Sequence, residues 1–216
     1  MNTKIADVLS LILIASTVAV TAFLYADLPD PMPRHWNVAG DVDAYLSKPW
    51  GVAVLPFAAV CIFGLMKVLP RISPRSFEVE GVDRALALVQ LVIIAFMCGV
   101  AMLVLFEAMG VDTRMTPLIY CGIGLVFMVI GIEFRRVPKN ALLGVRTPWS
   151  MASDAAWRST HRVGSWTFVL AGLLLVANAF VRLHLVWTMV TVFVLLLFPA
   201  VFSYFAYRRA RTEGST

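Results

Sequence analysis

Charge is the property that this sequence has least of. Lys, Arg, Asp and Glu make up 14% of its 216 residues, whereas hydrophobic residues make up 60%. A soluble domain carries about a quarter charged residues, because its surface must face water. The shortage excludes an ordinary soluble globular domain and favours a chain that folds in a lipid bilayer.

Cysteine is also scarce, with three residues in the whole chain. Cys61, Cys98 and Cys121 all fall within apolar runs and fit neither a disulfide framework nor a metal-ligand spacing. We interpret them as small apolar packing residues.

The uncharged residues form six long runs, which predict six transmembrane helices. With a rise of about 1.5 Å per residue, each run is long enough to cross roughly 30 Å of hydrocarbon. The predicted fold is an all-α membrane protein, in which the whole chain forms a single integral membrane domain. The predicted spans are residues 6–26, 51–69, 85–107, 116–133, 163–181 and 185–207, with a structured outer loop at 27–50 and a structured inner loop at 134–162.

Lys and Arg are distributed unevenly between the two ends of these spans. If the N-terminus is cytoplasmic, 14 of the 18 basic residues lie on inner segments. The opposite orientation would invert this bias, which the positive-inside rule disfavours. We therefore predict that both termini are cytoplasmic. Topology then explains the net charge of +5 without a nucleic-acid partner.

The middle of each predicted span has no charged residue. Asp7, Glu107 and Glu133 lie near span ends. Ion-coupled transporters usually place an ionisable side chain within the membrane, so its absence argues against a proton-coupled transporter. Ala95 and Gly99 form a small-xxx-small pair, which predicts a close helix contact at that position.

The outer loop has a pattern that is typical of ordered structure. Pro29, Pro31 and Pro33 alternate with other residues and hold the chain extended. An Ala-Gly-Asp turn sequence follows between residues 34–38 and 42–46. This arrangement predicts a short β-hairpin over the membrane surface.

Polar residues of this loop raise the question of a metal site or an acid–base site. His35, Asn37, Asp41 and Asp43 could converge on a cation, or His35 could transfer a proton. The spacing matches no established ligand signature. We therefore expect no metal and no cofactor, with His35, Asp41 and Asp43 as the residues on which a metal would depend.

The inner loop is predicted to be irregular at first and then helical. Gly144 and Pro148 interrupt regular structure, and Ser150 or Ser153 can cap a helix that continues into the fifth span. The loop carries six basic residues, which would suit an anion such as a lipid headgroup phosphate. The alternative is a positive-inside loop whose tryptophans anchor at the interface.

The predicted helix of the inner loop has an ordered face. Trp157, His161 and Gly164 recur at helical spacing and share that face. Asp154 and Arg158 are four residues apart, a spacing that predicts an ion pair.

Two segments of the chain resemble the signatures of a known family. Leu28-Pro-Asp-Pro-Met-Pro-Arg-His-Trp-Asn-Val-Ala-Gly-Asp-Val-Asp, followed by Ser47-Lys48, is similar to the outer-loop motif of the SdpI family of bacterial membrane proteins. Asn140-Ala-Leu-Leu-Gly-Val-Arg-Thr-Pro-Trp, followed by Trp157 and by His161-Arg-Val-Gly, is similar to that family's second signature. The motifs occur in the right order and on opposite sides of the predicted bundle.

This resemblance implies a multi-pass protein of the bacterial cell membrane that carries out no catalysis. Its expected roles are protection against a secreted, membrane-active toxin peptide and possible relay of the toxin's presence to a small cytoplasmic repressor. The implied outer ligand-binding residues are Pro29, Pro33, His35, Asn37, Gly40, Asp41 and Asp43. The implied inner ligand-binding residues are Asn140, Gly144, Arg146, Thr147, Pro148, Trp149, Trp157 and His161.

Two other classes of function stay open from the sequence. A lipid-handling protein or small-molecule transporter would need a cavity between the spans. A metal-dependent membrane hydrolase would need a bound ion, or a paired acid and base, in the loop that carries His35.

Overall fold

A computed structural model of the chain describes residues 2–37, 40–72, 81–181 and 183–213. Within these residues it contains seven helices and one two-stranded sheet. Six of the helices are long and apolar enough to cross a membrane, which confirms the predicted six-helix fold. The helices are α1 (Thr3–Leu24), α2 (Lys48–Ile72), α3 (Val82–Ala108), α4 (Met115–Phe134), α5 (Pro148–Ala152), α6 (Asp154–Val181) and α7 (Leu185–Glu213), and the strands are β1 (Met32–Trp36) and β2 (Val42–Leu46).

The fifth long helix, α6, extends well beyond the predicted span. It begins at Asp154 rather than at residue 163. Ser153 precedes it, and the Ser153 hydroxyl oxygen accepts a hydrogen bond from the backbone N–H of Ala156 at 3.1 Å. Ser153 was one of the two predicted caps. The other, Ser150, lies within the short helix α5.

The long helices pack as two groups. Helices α1, α2 and α3 contact one another and carry the hairpin, whereas α4, α6 and α7 form the second group together with α5. Among the described helices, α3 and α4 form the one pair that joins the two groups. The two groups meet where α3 contacts α4 and where the loop after α4 packs on α3 through Val137, Leu142 and Leu143.

Glycines allow α4 and α6 to approach closely. A Cβ atom added to Gly172 would lie 2.4 Å from the carbonyl oxygen of Gly124, and one added to Gly124 would lie 2.6 Å from the carbonyl oxygen of Gly172. Side chains at either position would force the two backbones apart.

The close contact predicted at Ala95 and Gly99 was wrong. Ala95 is exposed, and a Cβ atom on Gly99 would meet nothing within 4 Å. A small-residue spacing shows that a helix could approach another one closely, but it does not show which face receives a neighbour.

A polar cluster joins the three helices of the first group near one end. Lys67 donates a hydrogen bond to Asp7, and the amide nitrogen of Gln90 donates to Asp7 at 3.2 Å and to the Ser10 hydroxyl at 3.4 Å. Gln90 and Ser10 are fully buried. Since Lys67 and Asp7 neutralise each other, this cluster stabilises the helix packing without a net charge.

Candidate functional site

Two structured regions occupy opposite ends of the bundle. We call the end that carries β1 and β2 the hairpin face, and the end that carries residues 135–153 the loop face. The strands pair antiparallel, with Met32 opposite Leu46 and Trp36 opposite Val42, so the predicted hairpin forms. Its first strand starts two residues before the predicted one, and Val38 lies outside the described residues.

The hairpin is held firmly against the helices. Met32 is fully buried, and a Cβ atom on Gly51 would lie 2.5 Å from the Met32 Cβ. The Lys48 ammonium group donates to the carbonyl oxygen of Leu28 at 3.1 Å, and the Lys48 backbone N–H donates to the Asp30 carboxylate at 3.0 Å. Lys48 therefore connects the start of α2 with the chain that enters β1.

We expect Lys48→Met to loosen the hairpin. The variant keeps the apolar stem but leaves the buried Leu28 carbonyl without its donor, at a cost of about 1–2 kcal/mol. Hydrogen exchange of the β1 and β2 amides should accelerate roughly tenfold. Lys4→Met, at an exposed position of α1, is the matched control and should change nothing. Unchanged exchange in the Lys48 variant would contradict the anchoring role.

The candidate metal ligands of the hairpin separate into two pairs. His35 Nδ1 lies 2.5 Å from the Asp43 carboxylate across the two strands, and both side chains are exposed. Asp41 instead donates its backbone N–H to the Asn37 side chain at 3.0 Å. In the described ranges, no three His, Cys, Asp or Glu side chains gather as metal ligands.

An apolar cavity of about 660 Å³ lies beneath the hairpin, between the two helical groups. This volume falls in the range that is typical of small-molecule and cofactor sites. Its apolar lining includes Leu46, Val54, Leu55, Val100, Val104, Met115, Ile119 and Leu185, and its polar lining comes from Arg34, His35, Asn37, Thr116 and Tyr120.

Trp36 also lines this cavity and has an unusual feature. Its indole N–H is buried and has no acceptor among the residues that the structure describes. An unsatisfied buried donor costs about 1–3 kcal/mol, and no described residue offsets that cost here.

The predicted outer site residues divide between the cavity and the surface. The cavity is lined by Pro33, His35 and Asn37. The exposed surface of the hairpin and its approach carries Pro29, Asp41 and Asp43. Gly40 has a φ of +94°, and a Cβ atom there would lie 3.8 Å from the Thr116 hydroxyl, so the hairpin tip reaches the start of α4.

Sequence reasoning missed the helical half of this site. Trp36 was not among the predicted ligand-binding residues, and Val100 and Ile119 were assigned only to predicted spans. The absence of charge identifies a membrane span, but every face of such a span is apolar. The sequence of a span therefore does not show which of its residues face a cavity and which face lipid. The walls of the cavity were therefore not visible in the pattern.

On the loop face, Asn140 organises the turn that follows α4. It is fully buried and makes four hydrogen bonds. Its amide donates to the carbonyl oxygens of Pro138 and Leu143, and its oxygen accepts from the backbone N–H groups of Leu142 and Leu143. Asn140 therefore holds the loop and has no amide hydrogen left for a ligand.

Gly144, Trp157 and His161 dock this loop on α6. His161 Nε2 accepts a hydrogen bond from the backbone N–H of Val145 at 3.0 Å, while Nδ1 lies 2.9 Å from the Trp157 carbonyl oxygen. This arrangement requires a neutral imidazole protonated on Nδ1. The Trp157 ring stacks on His161 at 3.8 Å, as the predicted shared face requires.

The remaining inner candidates position the short helix α5. Thr147 and Ser150 form a capping box, with Pro148 in the first turn. The Thr147 hydroxyl also lies 2.7 Å from that of Ser203 on α7. Trp149 meets the Tyr204 ring edge-on at 5.4 Å. These contacts connect the loop with the second helical group.

The predicted ion pair of Asp154 with Arg158 was wrong. Asp154 bridges to Lys139 at 2.7 Å, because the loop brings that lysine back to the start of α6. Arg146 donates to the carbonyl oxygen of Ala141 within the same loop. A pairing across a loop cannot be read from helical spacing alone.

The loop face and the hairpin each lie in a part of the chain that matches a known family or domain. Residues 136–206, which include the loop and α6, match the SdpI/YfhL protein family. Residues 12–60, which include the hairpin, match a domain of unknown function, DUF1648. The chain is 22% identical over 174 residues to the immunity protein SdpI of Bacillus subtilis strain 168, covering 81% of each chain. No solved structure matches it.

Six apolar helices with these two docked regions define a multi-pass bacterial membrane protein. The resemblance to the SdpI family that the two sequence motifs predicted is confirmed by the match of residues 136–206 and by the similarity to the Bacillus subtilis protein.

Proposed function

We propose that this chain is a membrane immunity protein, which acts without catalysis by binding a membrane-active toxin peptide at its hairpin face. The cavity beneath the hairpin is the observation that carries the proposal, because it offers an apolar site with a polar rim. The name of the Bacillus subtilis relative, an immunity protein, supports the same function.

The chemistry of the cavity suits a peptide that partitions into membranes. Apolar side chains of the peptide would bury against Val100, Val104 and Ile119. The side chain of Trp36 adds an aromatic wall to this lining. Arg34 provides a positive charge in the lining for an acidic group or a C-terminal carboxylate.

The proposed orientation exposes this site to a secreted peptide. The excess of Lys and Arg lies on segments at the loop face, and the positive-inside rule therefore supports a cytoplasmic position for that face. The hairpin face is then outside. A toxin arriving from the outer leaflet would reach the cavity without crossing the membrane.

We extend the proposal to a cytoplasmic relay on the loop face. Trp149 is partly exposed beside Tyr204, and both are held by α5 and α7. This rigid aromatic surface fits a small repressor protein as its partner. A shift of the second helical group on toxin binding would change the surface, since α4 lines the cavity and leads directly into the loop.

A cavity-filling variant tests the immunity function. Expression of the chain should protect a sensitive bacterium from a panel of membrane-active peptides, with secreted bacterial toxins tested first. Val100→Trp should fill the cavity and lower the tolerated peptide concentration by about tenfold or more. Val201→Trp makes the same change on the exposed face of α7 and should protect fully.

Protein levels in the membrane must be equal in both variants. Full protection by the Val100 variant would contradict the cavity as the toxin site. Absence of protection from every peptide would contradict the immunity function itself.

The same cavity also favours a second candidate, a lipid-handling protein. An acyl chain would fit the apolar lining as a peptide side chain does. In that case lipid would copurify with the unsubstituted protein and be lost from the Val100 variant, whereas peptide tolerance would not differ between them.

A further inference from the structure

Three arginines on the loop face line one small cavity of about 160 Å³. Arg135 follows the end of α4, and Arg158 and Arg162 lie one turn apart on α6. Between them the cavity is lined by the stacked rings of Trp157 and His161. Two helices that are distant in sequence therefore direct three cations to one place.

These three arginines differ from the other basic residues of the loop. Arg136 bridges to Glu133 at 3.0 Å, Lys139 bridges to Asp154 at 2.7 Å, and Arg146 donates to a loop carbonyl. In the described part of the chain, none of the three cavity arginines has a carboxylate oxygen within 4 Å. Asp154 acts on Arg158 only at longer range, where the charge of Arg158 helps to lower the pKa of Asp154. The positive charge at the cavity is therefore compensated only in part by the protein.

His161 gives the cavity a fixed wall without adding charge. Both of its ring nitrogens are engaged with the backbone of Val145 and Trp157, in an arrangement that needs the neutral ring. The positive charge comes from guanidinium groups, which bind phosphate oxygens with two parallel hydrogen bonds.

The position of Arg135 places the cavity at the membrane surface. Its guanidinium lies 5.7 Å from the ring centre of Trp166, which is 58% exposed on α6. An exposed tryptophan near the end of a membrane-spanning segment is typical of the headgroup level. An anion that reaches this cavity can therefore come from the bilayer itself.

We propose that Arg135, Arg158 and Arg162 form a phosphate-binding site that takes the headgroup phosphate of an anionic phospholipid. The site is independent of the toxin, because it uses a separate cavity at the other end of the bundle. It also differs from the surface proposed for the repressor, because neither Trp149 nor Tyr204 lines it. Lipid bound there would bridge the end of α4 and the start of α6 and so stabilise the docked loop.

The test uses the purified full-length chain in detergent, titrated with short-chain phosphatidylglycerol. Arg158→Gln combined with Arg162→Gln should weaken binding by about tenfold for each arginine removed. Arg208→Gln combined with Arg211→Gln removes the same charge at exposed positions of α7, outside the cavity, and should bind as the unsubstituted chain does. Arg158 and Arg162 are both exposed, so their replacement removes no buried contact.

Two further arms identify the ligand. Phosphatidylcholine, whose phosphate is neutralised by its own choline, should bind at least tenfold more weakly than phosphatidylglycerol. Inorganic phosphate should not displace the lipid at comparable concentration, and displacement would overturn the assignment to a lipid.

Arg158→Lys with Arg162→Lys keeps the charge but loses the paired hydrogen bonds, so an intermediate affinity is expected.

Equal weakening in the cavity variant and the control variant would overturn the site, because it would show non-specific attraction to a basic surface. Equal affinity for phosphatidylglycerol and phosphatidylcholine would overturn it as well.

Discussion

Gly144→Ala is expected to release the loop from α6 and to lower the free energy of unfolding by about 3–5 kcal/mol. A Cβ atom at this position would lie 2.3 Å from His161 Nε2 and 3.0 Å from the Trp157 ring. It would therefore displace the imidazole from the Val145 N–H. The backbone φ of +127° adds strain, because alanine rarely adopts it.

Thermal unfolding in detergent and hydrogen exchange of the loop amides measure this effect. Gly110→Ala is the matched control, since Gly110 has a φ of +83° but a Cβ atom there would meet nothing within 4 Å. The free energy of unfolding of the control should fall only by the cost of backbone strain, about 1 kcal/mol. An equal loss in both variants would show that contact with His161 contributes nothing to stability.

Gly172→Ala should separate α4 from α6 and lower the free energy of unfolding by about 2–3 kcal/mol. The added methyl group would meet the Gly124 carbonyl oxygen at 2.4 Å, and a backbone atom cannot move without moving its helix. The gain in helix propensity from glycine to alanine, about 1 kcal/mol, offsets only part of this cost.

Gly99→Ala provides the control for this prediction. It makes the same change within a long helix, but the new methyl group would meet nothing within 4 Å. The control should leave stability unchanged or raise it slightly. If the Gly172 variant were as stable as the control, the close contact of α4 with α6 would not contribute to folding.

Under the proposed immunity role, we expect Gly144→Ala and Gly172→Ala to impair different parts of the function. Gly144 lies on the loop face, so its replacement should impair relay to a repressor more than protection from the toxin. Gly172 acts through α4, whose other end lines the toxin cavity through Ile119. Its replacement should therefore impair protection as well.

The membrane spans and the hairpin could be predicted from sequence because each rests on local chemistry. A bilayer selects against charge at every position of a span, so the absence of charge alone marks the helix. Three alternating prolines and a glycine turn restrict the backbone in the same local way. The shared face of Trp157 and His161 likewise follows from helical geometry within one element.

The contacts between elements could not be predicted in that way. Asp154 pairs with Lys139 across a loop, and the glycine pair that brings two helices together lies on α4 and α6 rather than at Gly99. Spacing along one helix defines faces, but it does not say which face meets a neighbour.

The sequence by itself thus determined that this protein has six membrane helices, an ordered hairpin at one end and a basic, aromatic loop at the other. Only the tertiary structure decided where a ligand can bind. The apolar cavity beneath the hairpin and the cavity with three arginines both lie between elements distant in the chain. The first cavity depends on how the two helical groups pack, and the second on how the end of α4 packs against α6 within one group. Lipid-facing and cavity-facing side chains of the spans are equally apolar in sequence.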